Sequence, residues 1–226
     1  NKPSLLSITD YQTLFHEFGH GLQHMLTEID ESYCSGLNNI EWDAVEICSQ
    51  FMENWCFHKK TIMSFAKHYK TGKTLPNELY EKMIKYEKFF TSSKINNQIY
   101  FSMLDLYIHK HKITNYKDIQ KKLSKKYLIN EIDKDDCFLC HFDHIFSGSY
   151  DAGYYSYAWA EILSLDAFSA FEEIDMNNDK ELKKMGIKFR KTFLAKGGSQ
   201  ETLTIFKEFR GREPNSNAYL KHYNLI

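Results

Sequence analysis

The chain has 226 residues, of which 42% are hydrophobic, so it can bury one substantial core as a single domain or as a large piece of one. A formal charge of −1 gives no support for a nucleic-acid partner. No run of about 18 apolar residues is present, and we therefore predict no membrane-spanning helix.

The first informative stretch is His16-Glu17-Phe18-Gly19-His20, which matches the pattern His-Glu-x-x-His. Thr9 or Asp10 offers an N-cap, and the apolar-rich run over residues 11–26 predicts a helix. On a helix the two histidines share a face and can each give a nitrogen to one Zn²⁺, while Glu17 can act as a general base on a water. The other interpretation is an amphipathic helix with solvated histidines.

A third ligand is offered by a second helical pattern over residues 41–58, which follows a turn-like stretch. Glu46 falls inside this predicted helix, 26 residues after His20, a distance that suits a helix–loop–helix hairpin. Two His and one Glu leave a position for water, as in catalytic zinc sites. Asp43, about one turn earlier, either orients a ligand or is solvated. The apolar residues of this pattern predict a core-facing stripe: Trp42, Val45, Phe51, Met52 and Trp55.

These residues carry a family resemblance. Residues 15–27, from Phe15-His16-Glu17 to Leu26-Thr27, resemble the zinc helix of the thimet oligopeptidase family of zinc metallopeptidases. Trp42-Asp43-Ala44-Val45-Glu46, with residues 49–56, is similar to the oligopeptidase A branch and its organellar relatives. Ile47-Cys48 stands where that branch has Leu-Pro, which removes no ligand but bears on how the helix bends near Glu46.

The resemblance covers nearly the whole chain, most tightly residues 14–56 and 137–212. It implies that residues 1–226 form a mostly α, zincin-like catalytic domain, half of a two-lobed oligopeptidase with a deep substrate channel. The composition agrees, since three prolines, ten glycines and few alternating apolar runs favour helices. We expect this chain to be the C-terminal part of a longer enzyme whose N-terminal lobe is absent.

Between residues 61 and 127 the sequence predicts helix after helix. Pro76 suits an early helical position, and residues 99–111 continue the pattern. The aromatic and Met positions at helical spacing indicate core packing rather than a cofactor site. Four histidines without a suitably placed ligand partner are predicted to be structural or surface residues: His58, His68, His109 and His111.

Five cysteines without a paired framework fit a reducing compartment. Cys137-Phe138-Leu139-Cys140-His141 matches the c-type haem attachment pattern, and the same spacing can serve redox chemistry or a structural zinc. Because no second Cys pair follows and no export signal is visible, we favour coincidence. The weaker rival hypothesis is a haem-carrying or thiol-redox protein. The presence or absence of a Soret absorption band would distinguish it from a peptidase.

Residues 144–157 mix glycines and serines with tyrosines, which predicts a mobile loop and then a helix beginning near Asp151. Tyrosine hydroxyls can donate to a developing oxyanion, and a buried aromatic cluster is the equally weighted alternative. The stretch resembles the family's flexible glycine-containing segment, which faces the zinc helix across the channel. By that match His144, Tyr150 and Tyr157 contact the scissile peptide, and Tyr154 and Gly148 bind substrate.

The same match raises two local points. Ser149 stands where the family usually has a second glycine, which bears on the mobility of the loop. Tyr155 is expected to pack inward.

Further along the chain, residues 159–171 and 185–194 predict helices. Arg210 or Arg212 either clamps a substrate or, as we favour, forms a structural ion pair.

The sequence therefore predicts a zinc-dependent endopeptidase that hydrolyses short peptides, with one Zn²⁺ per chain on His16, His20 and Glu46. Glu17 is the expected base. Expected partners are short peptides and the missing N-terminal lobe, with no nucleic acid and no membrane. We expect a cytoplasmic or organelle-matrix location, mitochondrion or plastid. The alternative is a non-catalytic zinc-binding or interaction fragment that needs the missing lobe for activity.

Overall fold

The computed structural model describes residues 4–226, and helices dominate it. Within these residues the only β pairing is one isolated bridge between Lys67 and Thr74. The prediction of a mostly α fold is confirmed. Every helix in the described part of the chain is too short or too polar to traverse a lipid bilayer.

The chain divides into two compact units. The first combines the chain up to Lys88 with Ala160–Ile226, and the second is Phe89–Trp159. The helices of the N-terminal segment are α1 (Ile8–Met25), α2 (Ile47–Glu53, continued by a 3-10 turn, Asn54–Cys56), α3 (Lys59–Phe65) and α4 (Asn77–Glu87). Those of the second unit are α5 (Thr91–Lys110), α6 (Tyr116–Tyr127), a 3-10 turn (Phe138–His141) and α7 (Asp143–Phe146). The remaining helices are α8 (Ser156–Glu172), α9 (Asp179–Phe189), α10 (Thr202–Arg210) and α11 (Asn217–His222).

Helix α1 begins earlier than predicted. Ser7 is its N-cap: the Ser7 hydroxyl accepts a hydrogen bond from Asp10 N at 3.1 Å, and Asp10 Oδ2 accepts from Ser7 N at 2.9 Å. This reciprocal capping box places Asp10 inside the first turn rather than at the cap. The predicted caps, Thr9 and Asp10, are therefore wrong, although the helix itself is confirmed.

The second predicted helix is shorter than residues 41–58. Residues 42–46 form turns, and α2 starts at Ile47, so Glu46 is the N-cap residue and not an interior one. Trp42, which precedes the helix, does not join the core stripe and is 47% exposed. Phe51 does join it and is buried.

The core of the first unit is aromatic. Phe51 of α2 stacks on Phe189 with ring centroids 3.8 Å apart, and Phe206 and Phe209 of α10 are almost completely buried in the same cluster. The second unit has its own core, which gathers Leu104 of α5, Phe142 and Ile145, among others. Burial of such side chains stabilises each unit by about 1.5–3 kcal/mol per residue.

Between α9 and α10 the chain runs through a π-helical segment, Arg190–Leu194, where the sequence predicts an ordinary helix. The wider turn leaves carbonyls for other partners: Gln23 Nε2 of α1 donates to Phe193 O at 3.4 Å, and Glu28 N donates to Ala195 O at 2.8 Å. This segment thus ties the end of α1 to the C-terminal helices.

Candidate metal centre

Helix α1 and α2 cross at Gly19. A Cβ atom at this position would lie 2.5 Å from the carbonyl oxygen of Cys48 and 2.6 Å from Cα of Ser49, closer than carbon atoms pack. The absence of a side chain therefore permits the two helices to approach at this point. His16 and His20, three residues before and one after Gly19, are brought beside the start of α2 by this crossing.

The three predicted ligands lie together. Oε2 of Glu46 is 3.1 Å from Nε2 of His16 and 3.2 Å from Nε2 of His20, and one ligand atom from each residue fits within 4.8 Å of the others. Glu46 is only 2% exposed. Within residues 4–226 this is the only group of three or more His, Cys, Asp or Glu side chains with such geometry.

Two further residues hold these ligands in place. The Ser49 hydroxyl lies 2.7 Å from Oε2 and 2.9 Å from the carbonyl oxygen of Glu46, so it can donate to that residue. On the other side of His16, Nδ1 lies 2.6 Å from Oε1 of Glu53. A carboxylate behind a ligating imidazole fixes its tautomer and ring orientation. The sequence analysis gave Glu53 no role, although it stands seven residues, two helical turns, after Glu46.

The electrostatics of this site favour a cation. Burial opposes a charge on His16, but hydrogen bonds and charge from Glu46 and Glu53 outweigh it and raise the pKa of His16 to about 10. The two carboxylates therefore hold a proton on the imidazole that lies between them. A divalent ion can take the place of that proton, because neutral imidazole is the form that ligates.

These residues fit a zinc ion. Two imidazole nitrogens and one carboxylate oxygen are the donor set of a catalytic zinc site, which keeps a position open. The Nδ1 atom of His20 is buried and has no hydrogen-bond partner among residues 4–226, while Nε2 faces Glu46. Glu17 is exposed and does not belong to this ligand group. Asp43 is half-buried, and its two predicted roles stay open.

The second predicted cluster lies in the unit Phe89–Trp159. The ring of His144 is 6.3 Å from that of Tyr150, 5.7 Å from that of Tyr154 and 5.9 Å from that of Tyr157, between centroids. Tyr150 and Tyr157 stack at 4.8 Å. The four side chains singled out from the sequence are thus neighbours.

Within this cluster the expected inward packing of Tyr155 is wrong. Tyr155, predicted to pack inward, is 37% exposed, and Tyr154 is the buried one at 9%. Burial raises the pKa of Tyr154 to about 12, opposed by a hydrogen bond with Gln98. The helix predicted near Asp151 begins at Ser156, so the two tyrosines lie on a turn whose phase a helical pattern does not describe.

The loop before the cluster has two conformational requirements. A Cβ at Gly148 would lie 2.9 Å from both Cα and the carbonyl oxygen of His144, so a side chain there would displace the His144 backbone. Ser149 has φ of 65°, the left-handed conformation that glycine adopts most easily. The residue that departs from the family pattern therefore keeps the backbone shape of a glycine.

The two arginines near the C-terminus form ion pairs. Arg212 Nη1 donates to Asp166 Oδ2 at 2.8 Å, and Arg210 Nη1 donates to Glu173 Oε2 at 3.0 Å. Asp166 is completely buried and also accepts from Asn215 N at 2.8 Å. These contacts agree with the structural ion pairing favoured from the sequence.

The cysteines of the Cys-x-x-Cys-His motif are exposed. Cys137 immediately precedes the 3-10 turn, Cys140 lies within it, and Cys140 N donates to Cys137 O at 2.8 Å. Neither belongs to the ligand group described above.

Comparison with known proteins agrees with this geometry. The model of Peptidase family M3 matches residues 1–225. The chain is 49% identical over 230 residues to organellar oligopeptidase A, chloroplastic/mitochondrial, of Arabidopsis thaliana, covering 100% of this chain and 29% of the relative. It is 49% identical over 231 residues to the probable cytosolic oligopeptidase A of the same plant, 100% of this chain and 33% of the relative.

A bacterial relative matches as well. Oligopeptidase A of Escherichia coli (strain K12) is 41% identical over 228 residues, 99% of this chain and 33% of the relative. The chain thus spans about a third of the length of the curated relatives it matches. The resemblance to the thimet oligopeptidase family and its oligopeptidase A branch is confirmed, and the chain belongs to peptidase family M3.

Proposed function

We propose that this chain is the catalytic part of a zinc-dependent oligopeptidase that hydrolyses short peptides. The observation that carries the proposal is the ligand group, in which buried Glu46 lies 3.1 Å and 3.2 Å from the outer nitrogens of His16 and His20. Membership of family M3 supports a peptidase, and the relatives' printed names support oligopeptides as the substrate class.

In this proposal His16, His20 and Glu46 hold one Zn²⁺ per chain, with Glu53 and Ser49 orienting two of them. When bound, zinc supplies Lewis-acid activation of a water molecule and of the scissile carbonyl. Three protein ligands leave a coordination position for that chemistry, whereas structural zinc sites fill all four.

The chain's own residues carry the proton transfers. Glu17 takes a proton from the attacking water, the water oxygen bonds to the peptide carbon, and Glu17 then gives the proton to the leaving amine as the C–N bond breaks. Tyr150, Tyr157 and His144 donate hydrogen bonds to the oxyanion that develops on the carbonyl. Tyr154 and Gly148 contribute to substrate binding; because the Tyr154 ring is buried, that contribution is limited to its hydroxyl or backbone.

The size restriction on substrates belongs to the same proposal. A deep channel between two helical lobes admits short peptides and excludes folded proteins, and the second lobe corresponds to the part of the relatives that this chain does not match.

We also infer a cytosolic or organelle-matrix location from the relatives named for those compartments. Imaging of the tagged full-length protein tests it, and secretion would contradict it.

The decisive experiment measures cleavage of an internally quenched fluorescent peptide by the purified chain loaded with one equivalent of Zn²⁺. Glu17→Gln should lower kcat by about 10²–10⁴-fold and leave bound zinc unchanged, because the base is not a ligand. Glu31→Gln, which removes another exposed carboxylate, is the matched control and should be fully active.

Three outcomes separate the possibilities. Hydrolysis that both a chelator and Glu17→Gln abolish supports an enzyme that works without further sequence. Stoichiometric zinc without hydrolysis favours the alternative, a zinc-binding fragment that needs the missing lobe. If neither zinc binding nor hydrolysis occurs, the proposal is wrong for this chain.

A further inference from the structure

Asp105 is a completely buried carboxylate in the C-terminal half of α5. Both of its oxygens accept backbone hydrogen bonds from one turn: Oδ1 from Ala152 N and Oδ2 from Tyr154 N, each at 2.9 Å. One helical turn further along α5, Nδ1 of His109 lies 2.8 Å from Oδ1. All these residues belong to the unit Phe89–Trp159, so the arrangement is internal to it.

The turn that Asp105 holds has an unfavourable backbone. Ala152 has φ of 56°, a left-handed conformation that side chains with a Cβ disfavour, and Gly153 N donates to Tyr150 O at 2.8 Å within the same turn. Two hydrogen bonds to a buried carboxylate, on either side of Gly153, offset that cost. Without them the turn would relax toward conformations that Ala152 prefers.

The held turn connects two residues of the tyrosine cluster. Tyr150 lies immediately before it and Tyr157 shortly after it, and their rings stack with an interplanar angle of 23°. Because side chains project from the backbone in fixed rotamers, a change in the turn moves the two rings relative to each other. The carboxylate of Asp105 therefore acts on both rings through the backbone, without contacting substrate.

We infer that Asp105, supported by His109, is a positioning residue that sets the relative orientation of Tyr150 and Tyr157. As a statement about catalysis this rests on the proposed peptidase function. The sequence indicated that His109 is a structural or surface residue; in the structure its Nδ1 approaches Asp105 Oδ1, the oxygen that also accepts from Ala152 N.

The test variant is Asp105→Asn, which has nearly the same shape. Asparagine offers one acceptor oxygen, and its NH₂ group faces the other backbone N–H, so one of the two hydrogen bonds is lost. The first readout needs no activity: backbone amide exchange at Ala152 and Tyr154, and the ring-current shifts of Tyr150 and Tyr157, measured by NMR on the whole chain. We expect faster exchange at the amide that loses its acceptor and altered ring shifts, with α1 and α2 unchanged. Asp118→Asn, an exposed aspartate of α6, should change none of these.

The second readout is kinetic. Asp105→Asn should lower kcat by about 10–100-fold, with KM changed by less than about threefold and zinc content unchanged, since the reacting groups are misplaced rather than removed. In a Tyr150→Phe background the same substitution should have little further effect on kcat. A residue that only stabilises the fold would instead give independent, multiplicative effects.

If Asp105→Asn does not fold, His109→Gln tests the same arrangement with both backbone hydrogen bonds left in place, and smaller changes of the same kind are expected. An active wild type whose Asp105 variant keeps amide protection, ring shifts and kcat would overturn the inference. If the wild type is inactive but Asp105→Asn shows the expected NMR changes, the proposed peptidase function is refuted for this chain. The positioning of the two rings by Asp105 would still stand.

Discussion

Oε1 of Glu53 lies 2.6 Å from Nδ1 of His16, on the opposite side of the imidazole from the nitrogen that faces Glu46. Glu53 therefore dictates which nitrogen of His16 is free to ligate, and it does so from the same helix that follows Glu46. In the proposed zinc site, the tautomer and the ring orientation of His16 would therefore depend on a residue outside the ligand group.

Replacing this carboxylate tests that dependence. Glu53→Gln should weaken zinc affinity by about 10–100-fold, because the amide is a weaker acceptor and does not favour one tautomer as strongly. Competition with a chromophoric chelator measures the affinity. Glu81→Gln, which removes an exposed carboxylate of α4, is the control and should bind zinc as the wild type does. Unchanged affinity in Glu53→Gln would contradict the assigned role.

The crossing of α1 and α2 predicts that replacement by alanine has a different effect on stability at Gly19 than at Gly21. Gly19→Ala should lower the free energy of unfolding by about 1–3 kcal/mol and also weaken zinc binding, because its methyl group meets the Cys48 backbone. Gly21→Ala in the same helix meets only the end of Met25, at 4.0 Å, and should be neutral or stabilise by up to about 1 kcal/mol. Chemical denaturation with and without zinc measures both. Equal effects would mean that the crossing tolerates a side chain.

Arg212 should contribute to the stability of the fold and not to substrate binding. Its partner Asp166 is completely buried, so Arg212→Met leaves that carboxylate with Arg210 and Asn215 N alone. Breaking a buried ion pair typically costs about 3–5 kcal/mol, and we expect the free energy of unfolding to fall by an amount near the lower end of that range. The KM of the folded molecules should be unchanged. Arg190→Met, which breaks an exposed pair with Glu28, should cost under about 1 kcal/mol. A raised KM with unchanged stability would favour the substrate-clamp interpretation.

The lowered pKa of Glu173 predicts that the free energy of unfolding depends on pH. Hydrogen bonds from Arg210 lower its pKa below the ordinary 4.5, with burial opposing. Because the folded-state pKa is the lower one, the stabilisation is present above pH 4.5 and disappears as pH falls through the folded-state value. Glu173→Gln should therefore be less stable than the wild type at pH 7, by under about 1 kcal/mol for this largely exposed group, and equal to it in acid. A difference that persists at pH 2.5 would contradict this.

Apolar periodicity, together with candidate capping residues, predicted helix α1 and most of the later helices, because apolar residues at helical spacing mark a buried face whatever lies opposite. Glu46 was also predicted, yet its place at the start of α2 was not. Residues 42–46 have the same apolar spacing as a helix, and only tertiary contacts decide that they form turns. The role of Gly19 is invisible in sequence, since it depends on which backbone crosses above it.

The tyrosine segment shows a different limit. Tyr155 was expected to pack inward and is exposed, because it lies on a turn where left-handed residues, Ser149 and Ala152, change the direction in which later side chains point. No repeat of 2 or 3.6 residues describes such a turn. Asp105 was missed for a related reason: its partners are backbone N–H groups 47 and 49 residues away, which no side-chain pattern marks.

The π-helical segment Arg190–Leu194 makes the length of this part of the chain as important as its composition. A π turn holds about one residue more than an α turn, so deleting one residue here would regularise the helix and remove the wide turn. Gln23 and Glu28 would then lose the carbonyl oxygens of Phe193 and Ala195 as hydrogen-bond acceptors. Substitutions that keep the number of residues can be absorbed locally, whereas a single in-frame deletion would loosen the end of α1 from the C-terminal helices.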